Sequence, residues 1–217
     1  GVSNSGFLKA DGLTNGQPSK GIYFTNSSSV WCDNIDVDVK NFTDISFIQG
    51  GYDLGWGLKN EAALRFENVS NFKIDGCWVA SNGGLSFNKS VAKGEIRVGV
   101  KLVNCKNGRV SGCSIVNQHT GVLVSGVMDG IDKDNSIIIE GNTLNGNVYE
   151  EMEMTNTKFV DIESNFLLSN ASFATINLVA SGNSDGIIKY NSFTLKDSKD
   201  AINNAQGFTI SDNIVNK

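Results

Sequence analysis

Carboxylates, cations and aromatic rings crowd two stretches of the chain. Between Val37 and Leu64 stand Asp44, Tyr52, Asp53, Trp56, Lys59 and Glu61; between Val79 and Val100 stand Asn82, Lys89, Lys93, Glu95 and Arg97. Arg65 and Lys101 follow directly. A later, shorter connection holds His119, the single histidine, and the next holds Tyr149, Glu150 and Glu151. Paired carboxylates suit general acid and base work, one giving a proton while the other takes one or attacks. Asp53, Glu61 and Glu95 are the expected catalytic acids, with Glu150 and Glu151 behind them. His119 is a candidate base, because its imidazole titrates near neutral pH. Lys59, Arg65, Lys89, Lys93, Arg97 and Lys101 form a local cationic strip on an acidic chain, the kind that draws in an anionic partner. Tyr52 and Trp56 supply flat rings in a Gly-rich setting. The plainer alternative for each lone residue is a solvated charge, a bystander imidazole or a ring that anchors its own loop.

Such residues act together only if the backbone brings them to one edge, and a repeat provides that backbone. Residues 100–115, shifted back by 36 positions, lie on residues 64–79 without a gap. Leu64 falls on Val100, Phe66 on Leu102, Asn68 on Asn104, Ile74 on Val110, Gly76-Cys77 on Gly112-Cys113, and Val79 on Ile115. Each copy reads as an alternating strand, an Asn turn, a second alternating strand, a Gly turn and a third short strand. A fixed repeat of this size predicts a solenoid. The frame recurs with Asn142, Asn165, Asn191 and Asn213 in one column after the second strand, below Cys77 and Cys113. Upstream, Ile22-Tyr23-Phe24 is assigned to a first sheet, Val30 to Cys32 to a second and Ile35 to Val37 to a third. On that frame the two long stretches are loops at one corner of adjacent coils. They build a wall beside the outer face of the first sheet, where Arg65, Lys101 and Glu153 point out. Phe66, Leu102, Val124, Met154 and Ala180 are expected as one inward stack. Glu140 and Glu163 share an outward column with Asp161 beside them, and Lys189 continues the column and neutralises it.

The chain has 217 residues, 40% hydrophobic and 19% charged, enough for one globular domain with a core. A single Pro fits a stack of strands that must keep its ladder donors. The net charge of −5 argues against a nucleic-acid partner, and no apolar run reaches the ~20 residues needed to span a bilayer. Nothing in the pattern calls for a metal or a cofactor. The cysteines, Cys32, Cys77, Cys105 and Cys113, read as small buried apolar residues rather than a disulfide framework.

The Asn column after the second strand resembles the asparagine ladder of single-stranded right-handed parallel β-helices, the pectate-lyase-like superfamily. The resemblance covers residues 21–217. It implies an all-β solenoid of about seven coils, three short strands each, with residues 1–20 an irregular lead-in. By resemblance to the tailspike depolymerases of bacteriophages, the expected function is endoglycosidase action on a bacterial surface polysaccharide. Asp53, Glu61 and Glu95 would then be the carboxylates, and Tyr52, Trp56, Arg65, Lys93, Arg97, Lys101 and His119 would bind the glycan. Glycoside hydrolysis needs two carboxyl groups about 5–5.5 Å or about 6.5–9.5 Å apart. A polysaccharide lyase or epimerase acting on a uronate polymer, and a non-catalytic glycan-binding adhesin or spike shaft, are the alternatives. The resemblance further implies a homotrimer or part of a longer spike chain, outside the cell or on a virion surface.

Overall fold

The period-two alternation, repeated three times per coil, becomes three parallel sheets in the computed structural model. The structure describes residues 62–81, 98–116, 118–147, 149–169, 175–179, 182–195 and 201–216, and the backbone of short strands at 2–3, 8–11, 31–33, 37–40, 45–48 and 51–54. Among the described residues the first sheet has eight strands, the second seven and the third nine, and the pairings between them are parallel. Strands Ala62–Glu67, Ser70–Asp75 and Trp78–Ser81 make one coil; Val98–Val103, Lys106–Ser111 and Ser114–Val116 make the next. Among the described residues the only helical segment is the short 3-10 turn Lys133–Asn135. The fold is a parallel β-solenoid. Four consecutive coils over residues 62–169 form the body on which the candidate sites stand, against about seven expected; strands before and after them extend the same sheets.

The register of the repeat is the one its alternation demands. Phe66, Leu102, Val124 and Met154 follow one another across the first sheet, each at most 1% exposed. Ile74, Val110, Ile139, Ile162 and Ile188 stack likewise in the second sheet, and Val79, Ile115, Leu144, Leu167 and Phe193 in the third, all fully buried. Each large side chain removed from water contributes ~1.5–3 kcal/mol. The next strand departs from expectation. Met154 pairs with Leu178, so Leu178 continues the first-sheet column and Ala180 lies outside the described residues.

Corners are set by residues that tolerate a left-handed backbone. Between first and second sheets these are Asn68, Asn104, Gly126, Asn156, Gly182 and Asn204; between second and third they are Gly76, Gly112, Gly141, Ser164, Tyr190 and Asp212. Asn's short polar side chain adopts this conformation at lower cost than most residues do. After the second-sheet corner the buried amides form a ladder. The Asn142 side-chain oxygen accepts from the Cys113 N–H at 2.9 Å, that of Asn165 from the Asn142 N–H at 3.0 Å, that of Asn191 from the Asn165 N–H at 2.9 Å, and that of Asn213 from the Asn191 N–H at 2.9 Å. Their amide groups in turn donate to Val110, Ile139, Ile162 and Ile188 carbonyls.

The frame shifts upstream of Ala62. Trp31–Asp33 lies in the third sheet, not the second, and Val37–Lys40 lies in the first sheet, not the third. Val37 pairs with Leu64, so the chain between them is a full coil with strands Ile45–Ile48 and Gly51–Leu54 rather than one long loop. A register shift between Ile45 and Ile48 breaks the alternation and hides that strand in the sequence. The expected lead-in also carries strands, Val2–Ser3 and Leu8–Asp11, paired into the third and first sheets. Ile22 to Phe24 lie outside the described residues.

Candidate functional site

The groove anticipated from two long loops loses one of its walls. Tyr52 and Asp53 sit on the third sheet, where Tyr52 shares the register of buried Val79 and Asp53 that of Ala80. Arg65 and Lys101 stand on the first sheet, directly paired, so Asp53 does not share their face. The outward column runs Arg65, Lys101, Leu123, Glu153. Arg65 is tied to Glu67 at 2.8 Å, and Glu153 is 8% exposed. Trp56, Glu61, Lys93, Glu95 and Arg97 lie outside the described residues.

His119 is brought to the corner between third and first sheets but is buried, with its ring 5.7 Å from that of Tyr149. The same corner holds Gln118, Thr120, Asn147, Glu150, Glu151 and Thr175, all buried. Thr120 Oγ1 donates to Glu150 at 3.0 Å. Glu151 lies where the strand bulges: its N–H and that of Met152 both point at the Thr175 carbonyl, at 3.0 and 3.2 Å. The bulge turns the Glu151 side chain inward, along a position that Gly99 and Gly121 occupy on preceding coils. Asn147 Nδ2 donates to Glu151 Oε2, while Glu151 Oε1 has no hydrogen-bond partner. Burial pushes this carboxyl up to about 8, against the weaker pull of the Asn147 contacts. At neutral pH Glu151 is therefore mostly a neutral acid inside the wall, out of reach of a surface ligand.

A different place has the shape of a site. Where the two preceding coils turn from first to second sheet on Asn68-Val69 and Asn104-Cys105, the third carries the insertion 126–136. Its conformation is pinned. Asp132 caps the 3-10 turn, accepting from the Asp134 N–H at 2.9 Å, while its own N–H donates to Asn135 at 2.7 Å. Asn135 Nδ2 donates to the Gly130 carbonyl at 3.0 Å, and Lys106 Nζ to the Asp129 carbonyl at 2.8 Å. Asp134 and Ser136 of the insertion border an open cleft of about 390 Å³ on the second sheet, lined also by Phe72, Lys73, Asn107, Gly108, Arg109 and Ile138.

Lys73 and Arg109 are paired neighbours on the floor of that cleft. Two cations in register repel one another unless something holds them. Here Asp75 lies 3.3 Å from Lys73 and Glu140 lies 2.5 Å from Arg109. The anticipated acidic column is present as Asp75, Ser111, Glu140, Glu163 and Lys189. Lys189 neutralises Glu163 at 3.1 Å. Asp161, beside it, is raised above the usual carboxylate range by burial first and by the Glu163 charge second. The one sequence signal for the cleft is the insertion itself, between Val124 and Ile137. Among the described residues no cluster of three or more His, Cys, Asp or Glu side chains could hold a metal ion, and no helix is long and apolar enough to cross a membrane.

No protein-family model, curated protein or solved structure matches this chain.

Proposed function

We propose that this β-solenoid binds a polysaccharide and that the cleft beside the insertion 126–136 seats one or two of its sugar units. The cleft carries the reading. It is a shallow depression of about 390 Å³, open to solvent along much of its length, as a surface that receives part of a long polymer must be. Its lining offers the groups that sugar hydroxyls pair with: the Asn107 amide, the Ser136 hydroxyl and the Asp134 carboxylate. Lys73 and Arg109 add cations to the lining; each is already paired with a carboxylate, Asp75 or Glu140, so an acidic sugar would bind by sharing or displacing those pairs. The resemblance to tailspike depolymerases fits a bacterial surface glycan, met outside the cell or from a virion by a homotrimer or a longer spike chain.

Cleavage is the second part of the proposal. An endoglycosidase would draw its acid and its base or nucleophile from Asp53, Glu61 and Glu95. A lyase or epimerase would use a cation to neutralise a uronate. One observation favours the third alternative, a binding shaft without catalysis: among the described residues that line the cleft, Asp134 is the only carboxylate. Glu150 and Glu151 are buried, and Glu140 and Glu163 are held in ion pairs.

The test is calorimetry with acidic and neutral polysaccharides, run beside an assay for shortened products. Binding of an acidic polymer should weaken at least about tenfold in Lys73→Ala/Arg109→Ala and should fall with added salt. No binding to any glycan, or equal binding by the double variant, would overturn the reading. New reducing ends would establish a hydrolase and unsaturated ends a lyase; binding without either would leave the shaft.

A further inference from the structure

Cys77 and Cys113 open the column that the asparagine ladder continues. They are 1% and 2% exposed and both are free thiols. The pairs on either side of them are in register: Asp75 with Ser111 before, Trp78 with Ser114 after. The Ser114 N–H donates to the Cys77 carbonyl at 2.8 Å and the Gly76 N–H to the Ser111 carbonyl at 2.9 Å, so the two turns are stacked without slip. Each thiol lies over equivalent backbone, Cys77 Sγ at 3.8 Å from the Asp75 carbonyl and Cys113 Sγ at 3.3 Å from that of Ser111. The two side chains thus leave equivalent places on adjacent coils.

We propose that Cys77 and Cys113 form an oxidisable dithiol, which a small peroxide converts into a disulfide that clamps two adjacent coils. In-register parallel neighbours stand about 4.8 Å apart, inside the roughly 4.4–6.8 Å Cα separation that a disulfide spans. Parallel Cβ vectors keep their Cβ atoms near that same spacing, wider than the usual ~3.5–4.5 Å, so the bond forms under strain and is readily reduced.

Cys113 is the attacking sulfur. The hydrogen bond from the Cys77 thiol, the largest influence on it, outweighs burial and holds Cys113 below its usual range. Its thiolate attacks one oxygen of hydrogen peroxide, the O–O bond breaks, and hydroxide leaves, taking up a proton to become water. The resulting sulfenic acid is attacked by Cys77; the S–O bond breaks, the S–S bond forms and a second water leaves. Two thiols and one peroxide give one disulfide and two waters. Cys105 is an internal control. It is equally buried, in the turn between first and second sheets, and burial pushes its thiol up to about 11.

The experiment treats the folded full chain with hydrogen peroxide, blocks remaining thiols and maps tryptic peptides. Peptides 74–89 and 110–133 should appear joined and two hydrogens lighter, should separate with dithiothreitol, and should form while Cys105 remains a thiol. In Cys77→Ser the Cys113 sulfenic acid should be trapped by a dione. In Cys113→Ser the loss of the Cys77 thiol should slow at least about tenfold, for want of the activated partner. The wild-type map decides the matter whether or not the serine variants fold. A link through Cys32 or Cys105, oxidation of Cys105 as fast as Cys113, or a 77–113 link that forms only in urea would overturn the proposal.

Discussion

Phe72 fills the place where Gly108 has no side chain: a Cβ on Gly108 would lie 2.0 Å from its ring. The two are paired neighbours in the second sheet, and Phe72 also meets Phe66 with ring centroids 5.1 Å apart. The glycine of one coil thus makes room for the aromatic ring of the preceding one. Gly108→Ala must push that ring against a packed core, and overpacking of this kind costs ~1–3 kcal/mol. We expect a lower urea midpoint for Gly108→Ala and partial recovery on adding Phe72→Leu. An unchanged midpoint would show that the ring can move aside freely.

The ladder should be most sensitive in its middle. Asn165 accepts from the Asn142 N–H, and its own amide donates to the Ile139 carbonyl at 2.9 Å and to Asn191 at 3.0 Å. Replacing it with Ala leaves buried partners unsatisfied, at ~1–3 kcal/mol for each group. Asn213 stands on a half-buried coil, where water can take over. Equilibrium unfolding should therefore rank Asn165→Ala well below Asn213→Ala in stability. The reverse order would mean that the amides act through turn geometry alone.

Glu151 gives the chain a pH dependence of definite sign. Its folded carboxyl holds a proton up to about 8, whereas the unfolded chain releases it near 4.5. Between those values the native state binds more protons, so stability falls as pH rises, by up to ~1.4 kcal/mol per pH unit from this group. The loss is complete above the folded value and absent below the unfolded one. Glu151→Gln keeps an acceptor for Asn147 and removes the titration. The difference in unfolding free energy between variant and wild type should widen from pH 5 to 8 in favour of the variant. A constant difference across that window would mean that Glu151 is ionised inside the fold.

The residues that were legible are those whose side chains obey the period of two. Leu64, Phe66, Ile74 and Val79 find Val100, Leu102, Val110 and Ile115 in register because each buried column permits only one alignment. The Asn column was visible for the same reason, one amide per coil at one corner. Legibility failed where the backbone departs from that period. A register shift at Ile45 to Ile48 concealed a coil and made its residues look like a loop. The bulge at Glu151 turned inward a side chain that the alternation places outside. The cleft needed Lys73, Arg109 and Ser136, from three coils, to meet beside an insertion whose conformation depends on its own caps. Insertion length is readable in a sequence, but the direction in which it folds is not.

That insertion gives the sharpest test of the cleft. Ser125 is in register with Val103 and Ile137 with Gly108, so the preceding coil crosses the same corner with residues 104–107 alone. Grafting Asn104, Cys105, Lys106 and Asn107 in place of 126–136 should close the corner with no change in strand register. Loop-closure entropy changes by only ~0.6 kcal/mol for each doubling of length, so the graft should keep most of the stability. It removes Asp134 and Ser136 from the cleft and leaves Lys73 and Arg109 on an open sheet. We therefore expect a folded β-solenoid by circular dichroism, with a melting midpoint close to that of the parent and polysaccharide affinity reduced at least as far as in the Lys73→Ala/Arg109→Ala variant. A graft that folds and binds as the parent does would place the glycan elsewhere and return attention to Arg65, Lys101 and Glu153. A graft that cannot fold would make the insertion a structural brace, through the contact of Lys106 with Asp129 and the cap at Asp132, rather than the wall of a site.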